Sequence, residues 1–182
     1  MTGPVVLVGL MGSGKTTVGR RVASLLSRDF VDADDALEAA AGRTIAEIFG
    51  EDGEDTFRTL ELEVLDRLLG RDVPTVIAAG GGVVVREQAR QRLGRDDVTV
   101  VWLDATPAFL ASRIEKKAHR PLLVGDEPPR AVLERLDEVR RPLYAEVADI
   151  VVDVVPFHRS EDKPKDALAE RIAAQVTARE AS

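Results

Sequence analysis

The sequence predicts an α/β fold built on a mostly parallel sheet, on three observations. Strand-like apolar runs recur at Val5 to Val8, Phe30 to Val31, Thr75 to Ala79, Val98 to Leu103 and Ile150 to Val154. Helical periodicity fills the intervals, and such alternation means βαβ units. The run VTVVWL from Val98 is apolar almost throughout, as expected where helices cover both faces of a sheet. Finally, the stretch VVLVGLMGSGKTTVGRR, Val5 to Arg21, reads as a strand, a glycine-spaced turn and a helix.

At the first strand, the spacing Gly9-x-x-x-x-Gly14-Lys15-Thr16 follows the β-branched Val5, Val6 and Val8 and precedes helix formers, the context a phosphate loop requires. Glycines at 9, 12 and 14 let the backbone curl so that successive N–H groups point inward, and the helix N-terminus adds its positive dipole end. Such a nest suits polyphosphate. Gly12, Ser13, Gly14, Lys15, Thr16 and Thr17 are the candidate nucleotide contacts, with Lys15 bridging the outer phosphates and the Thr16 hydroxyl on Mg²⁺.

The second strand runs into VDADDALE, putting Asp32 and Asp34 two residues apart at a strand's carboxyl end, where open α/β sheets place their ligands. Alternate residues of extended chain point to opposite sides, so unless the strand turns there, one carboxylate could face metal and the other substrate. Equally, Asp34 or Asp35 could N-cap a helix from Ala36 to Ala41. Thr44-x-x-Glu47 is a capping box opening a short helix. Gly53 separates that helix from a longer one whose apolar face is Phe57, Leu60, Val64, Leu65 and Leu68. A helical insert of about 34–70 thus sits between the second and third strands. In it, Arg58 lies one step from the apolar face with Glu61 three residues on, a pair suited to a solvated salt bridge as well as to orienting a ligand contact.

Gly80, Gly81 and Gly82 follow the third strand. Three consecutive glycines cost backbone entropy and pack no side chain, so close backbone approach to a ligand is one reason for them and a flexible strand exit another. After the fourth strand, EKKAHRPLLVGDEPP reads as an exposed loop containing His119, a solvated histidine, and Arg120, which could close over phosphates. Arg140 and Arg141 precede Pro142, which is expected to end the helix running from Arg130. An amphipathic helix from Asp166 to Ala178 closes the chain.

Composition narrows the function. The 182 residues are read as one domain, 1–182. A net charge of −7 argues against nucleic-acid or membrane partners, so any anion site must come from locally clustered Arg and Lys. The absence of cysteine excludes thiol nucleophiles and thiolate metal sites, and two separated histidines, His119 and His158, argue against a His-rich metal site. No apolar stretch is long enough to span a bilayer and no leader pattern is visible, so a cytoplasmic protein is expected, and a monomer.

Together these pieces resemble shikimate kinase from about Val5 to about Asp153. The matching stretches are GLMGSGKTTVGR, VDADDAL, GRTIAEIF followed by DGEDTFRTLE, AAGGGVV, HRPLL and RRPLY. A phosphate loop is shared by many nucleotide-binding proteins, whereas the combination in this order is far more specific. The resemblance implies an α/β P-loop NTPase fold, a nucleoside-monophosphate-kinase-like three-layer sandwich. Its parts are a five-stranded parallel sheet, a helical substrate-binding region and a mobile lid at about 115–127. It implies transfer of the ATP γ-phosphoryl group to the 3-hydroxyl of shikimate, in the route to chorismate and the aromatic amino acids. Residue by residue, it makes Asp34 the ligand of the shikimate hydroxyls, with Arg58, Arg140 and the backbone of Gly80, Gly81 and Gly82 completing the substrate site. It makes Thr16 and Asp32 the Mg²⁺ residues, Arg120 the lid arginine on the ATP phosphates, and Arg113 the residue against the adenine. Lys15, Asp34 and Arg120 are then the catalytic candidates. The pattern Arg-x-Pro-Leu-Tyr selects Arg140 over Arg141. Rival readings are a kinase of another small hydroxy acid, such as gluconate, and a regulatory module that senses ATP without transferring phosphate.

Overall fold

The computed structural model describes residues 2–114, 127–160 and 162–181. Five strands form where the apolar runs predict them: β1 (Val5–Val8), β2 (Asp29–Asp32), β3 (Thr75–Ala78), β4 (Thr99–Asp104) and β5 (Ile150–Asp153). All pair in parallel, in the order β2-β3-β1-β4-β5. Every residue of β1 and β3 is buried, as central strands covered on both faces must be. On the edge, β5 alternates buried Ile150 and Val152 with exposed Val151 and Asp153.

The helices among the described residues are α1 (Lys15–Leu26), α2 (Ala33–Ala41), α3 (Ile45–Leu69), α4 (Glu87–Leu93), α5 (Pro107–Ile114), α6 (Pro129–Val147), α7 (Val155–Ser160) and α8 (Pro164–Glu180). The connection from β1 to β2 crosses the sheet in one direction and all later ones in the other, so right-handed crossovers put their helices on opposite faces. Accordingly α1 packs with α8, while α3 contacts α4 and α4 contacts α6. The loops leaving the neighbours β1 and β3 therefore diverge, opening a crevice at their carboxyl ends. The phosphate loop and the three glycines flank that crevice.

Two local expectations are overturned. The cap of α2 is Asp32 rather than Asp34 or Asp35. The helix begins at Ala33, and the Asp32 side chain accepts from the Asp34 amide at 3.1 Å. Pro142 lies inside α6 rather than ending it. A mid-helix proline costs about 3 kcal/mol, but Tyr144 and Val147 beyond it are buried in the core, and their burial outweighs that cost. The insert follows the sequence more closely. Thr44 and Glu47 form a reciprocal capping box, and α3 breaks at Gly53, whose φ of 81° and ψ of 175° are non-helical. No helix among the described residues is long and apolar enough to cross a membrane.

Candidate active site

The nest forms from glycine geometry. Gly9, Gly12 and Gly14 take φ of 139°, 84° and 102°, values that side chains resist. Gly14 is the N-cap of α1, and the first intrahelical bond runs from the Val18 amide to Gly14 O at 2.8 Å. The amides of Lys15, Thr16 and Thr17 precede it and face outward, as first-turn donors do. Lys15 Nζ folds back to donate to Gly9 O at 2.8 Å and Leu10 O at 3.1 Å, so the charge sits at the loop's mouth. Ser13 is buried, and its Oγ has no hydrogen-bond partner among the described residues.

Across the loop, Thr16 Oγ1 donates to Asp32 Oδ2 at 2.7 Å. Because the chain turns into α2 directly after Asp32, Asp34 does not leave on the opposite face of a strand but comes within electrostatic reach of Asp32 and Lys15. Its residue is solvent-accessible, yet the surrounding walls limit hydration of the carboxyl. Limited hydration and then Asp32 hold its pKa above the usual aspartate value, with Lys15 pulling the other way.

The three glycines face this carboxylate. A Cβ built on Gly80 would meet Glu61 Oε1 at 2.8 Å and Asp34 Oδ1 at 2.9 Å, and one on Gly82 would meet the Arg58 guanidinium carbon at 2.6 Å and its nitrogens closer still. Their small size is thus what lets Asp34, Glu61 and Arg58 converge. All three carbonyls are engaged: Gly80 O by the Val83 amide at 3.2 Å, Gly82 O by the Val85 amide at 3.0 Å, and Gly81 O by Arg140 Nη1 at 3.1 Å and the Tyr144 hydroxyl. Among the described residues no protein acceptor takes the three amides.

Arg58 is buried and donates from Nη1 to Glu61 Oε2 at 2.7 Å and from Nη2 to Glu54 Oε1 at 3.2 Å. The solvated pair allowed by the sequence is therefore a buried one. Desolvation raises the Glu61 pKa, while Arg58 lowers it and Asp34 raises it further. Arg140 is buried as well. Two guanidiniums, the carboxyls of Asp34 and Glu61, and the glycine amides share one wall of the crevice, close to the phosphate nest.

Arg141 points elsewhere. It donates from Nη2 and Nη1 to Asp104 at 2.8 and 3.2 Å, and from Nε to Asp137 at 2.9 Å, with its guanidinium 5.2 Å from the Trp102 ring centroid. Arg113 sits over Phe109, and its Nη1 lies 2.7 Å from His158 Nε2. Burial and the nearby Arg113 and Lys165 charges lower the His158 pKa, which suits an imidazole accepting from a guanidinium. His158, isolated in the sequence, reaches Arg113 across 45 positions, and no local spacing announces that. Arg120, His119 and the expected lid, apart from Glu127, lie outside the described residues.

The shikimate kinase family model matches residues 11–177. The chain belongs to the shikimate kinase family. Relatives in this family are ATP-dependent kinases that phosphorylate an alcohol group. A shikimate kinase from Caulobacter vibrioides is 49% identical over 142 residues, covering 78% of this chain and 70% of its own length. A shikimate kinase from Acinetobacter baumannii, solved in complex with shikimate, superposes with a TM-score of 0.87 at 35% identity, covering 98% of this chain and 95% of that one. A gluconokinase from Sinorhizobium meliloti has a similar structure at a TM-score of 0.59 and 20% identity, a likeness of fold alone.

Proposed function

We propose that this shikimate kinase family member transfers the ATP γ-phosphoryl group to the 3-hydroxyl of shikimate, and that the residues converging on the crevice do so in distinct roles. The observation that carries the reading is the pairing of Arg58 and Arg140 with Asp34 around the Gly80–Gly82 amides. An acid with vicinal hydroxyls needs cations at one end and an acceptor at the other. Arg58 and Arg140 hold the carboxylate, Asp34 takes hydrogen bonds from the hydroxyls, and the Gly81 amide donates to the bound acid. The raised pKa of Asp34 brings it nearer to a proton-accepting role toward the attacking hydroxyl.

On the nucleotide side, Gly12, Ser13, Gly14, Lys15, Thr16 and Thr17 cradle the phosphates, and Lys15 leaves the loop carbonyls to follow the transferring group. Thr16 Oγ1 and Asp32 Oδ2, 2.7 Å apart, are oxygen donors of the kind Mg²⁺ prefers. Held by these two residues, the ion would supply charge neutralisation for the transfer. Arg113, with His158 and Phe109, forms a wall for the adenine, and Arg120 keeps the phosphate role that the family resemblance implies.

A coupled ADP-release assay with shikimate, gluconate and no acceptor tests this reading. Turnover with shikimate alone is expected. Turnover with gluconate would move the substrate, and acceptor-independent nucleotide binding without turnover would favour the sensing module.

A further inference from the structure

The RRPLY segment supplies more than Arg140. Tyr144 is fully buried, and its hydroxyl donates to Gly81 O alongside Arg140 Nη1. Its ring lies 5.7 Å from that of Trp102, centroid to centroid, and Arg141 covers the Trp102 ring while binding Asp104 at the end of β4. Burial pushes the phenol's pKa up, so it stays a donor at working pH.

A peptide unit is planar and trans, so a carbonyl and the amide that follows it point in opposite directions. Whatever grips Gly81 O therefore aims the Gly82 amide and restrains the glycine run on either side. Glycine offers no side chain to do this from within, and neither Gly80, Gly81 nor Gly82 belongs to a helix or strand. One donor on a carbonyl leaves the peptide free to pivot, whereas two from adjacent turns of one helix fix it. Arg140 gives Gly81 O a bond from Nη1, and with Tyr144 holding the same oxygen the guanidinium can turn its other N–H groups to a bound carboxylate without releasing the peptide.

We propose that Tyr144 is a positioning residue for the acceptor: its hydroxyl locks the Gly81 peptide, which keeps the glycine amides aimed into the crevice and leaves Arg140 available to the substrate's carboxylate. The inference rests on the shikimate site proposed above and adds a residue that touches no substrate. Arg140 and Gly81 are thereby set by one helix.

Tyr144 is the one tyrosine in the 182 residues, so it can be watched without mutagenesis. The first measurement is steady-state kinetics of Tyr144→Phe, which removes only the hydroxyl. The expected result is a shikimate KM raised about fivefold or more, with the ATP KM and kcat within about twofold of wild type. A merely structural role would lower thermal stability and leave both KM values in place, and that outcome overturns the proposal. The second measurement is ¹⁹F NMR of wild-type enzyme carrying 3-fluorotyrosine. A single resonance that moves with shikimate and not with ADP alone supports the lock, and one indifferent to shikimate overturns it, whether or not Tyr144→Phe folds. Arg140→Ala, assayed in parallel, separates the two levels. If it leaves the shikimate KM unchanged, the site reading itself fails. If it raises that KM while Tyr144→Phe does not, only the positioning role falls.

Discussion

Asp34 combines its proposed role at the acceptor with a thermodynamic cost. Its pKa is raised in the folded protein by limited hydration and by Asp32. Ionisation therefore destabilises the fold above the folded pKa. That cost fades as pH falls through the folded value and is gone below the ordinary aspartate range. Asp34→Asn is expected to lower kcat by about two orders of magnitude or more, and to raise the melting temperature at pH 8 by more than at pH 5. Differential scanning calorimetry at the two values checks the second effect. A variant with lower stability at pH 8 would contradict it. Lys15→Ala removes the charge proposed to follow the transferring phosphate, and kcat should fall by about a hundredfold or more with the fold intact by circular dichroism. The two arginines before Pro142 divide by address: Arg140→Ala should act on shikimate KM. Arg141→Ala, losing Asp104 and Asp137, should lower stability with little change in that KM.

Elements were legible in the sequence where one physical rule dominated locally. β-branched runs gave all five strands, and Thr44 with Glu47 gave a helix start, because buried apolar periodicity and a capping box are readable within a few residues. Pro142 misled because helix propensity is local, whereas the burial of Tyr144 beyond it depends on α6 meeting the sheet. The cap of α2 misled by two residues because Asp32, Asp34 and Asp35 are all competent caps, and only the turn out of β2 chooses among them. The glycine run was legible as a close approach, but its partners came from elsewhere in the chain: Arg58 from α3 and Asp34 from α2. This gives an element-scale prediction. In Gly82→Ala, the new methyl collides with the far end of Arg58, a side chain that can bend away. Stability should therefore change little, within about 1 kcal/mol, while shikimate KM rises severalfold as Arg58 is displaced. Urea denaturation beside steady-state kinetics distinguishes this from a simple packing defect, which would shift the midpoint first.

Over the whole molecule, function and fixation sit at opposite ends of the sheet. The carboxyl ends of β1, β2 and β3 carry the phosphate loop, Asp32 and the glycines, all of which leave polar groups for ligands. Near the amino ends, Arg28 precedes β2, and only 5% of its side chain is exposed. It binds both Glu180 oxygens at 2.7 and 2.6 Å and Gly3 O at 3.1 Å. Glu180 is the last residue of α8, the helix that covers α1, and α1 in turn presents its N-terminus to the phosphates. The pair thus fastens the end of α8 to the amino edge of the sheet. Deleting one member of this partly buried pair leaves the other without its charge-assisted bonds, at a cost of about 1.5 to 3 kcal/mol. Glu180→Ala is accordingly expected to lower the urea midpoint with an unchanged m-value, and Glu180→Gln to fall between, because an amide still accepts from Arg28 through one oxygen. Both should keep wild-type kcat and KM at temperatures where they remain folded, since nothing in the crevice touches the pair. A loss of kcat in the folded variant would mean instead that α8 sets the position of α1, and through it the phosphate nest.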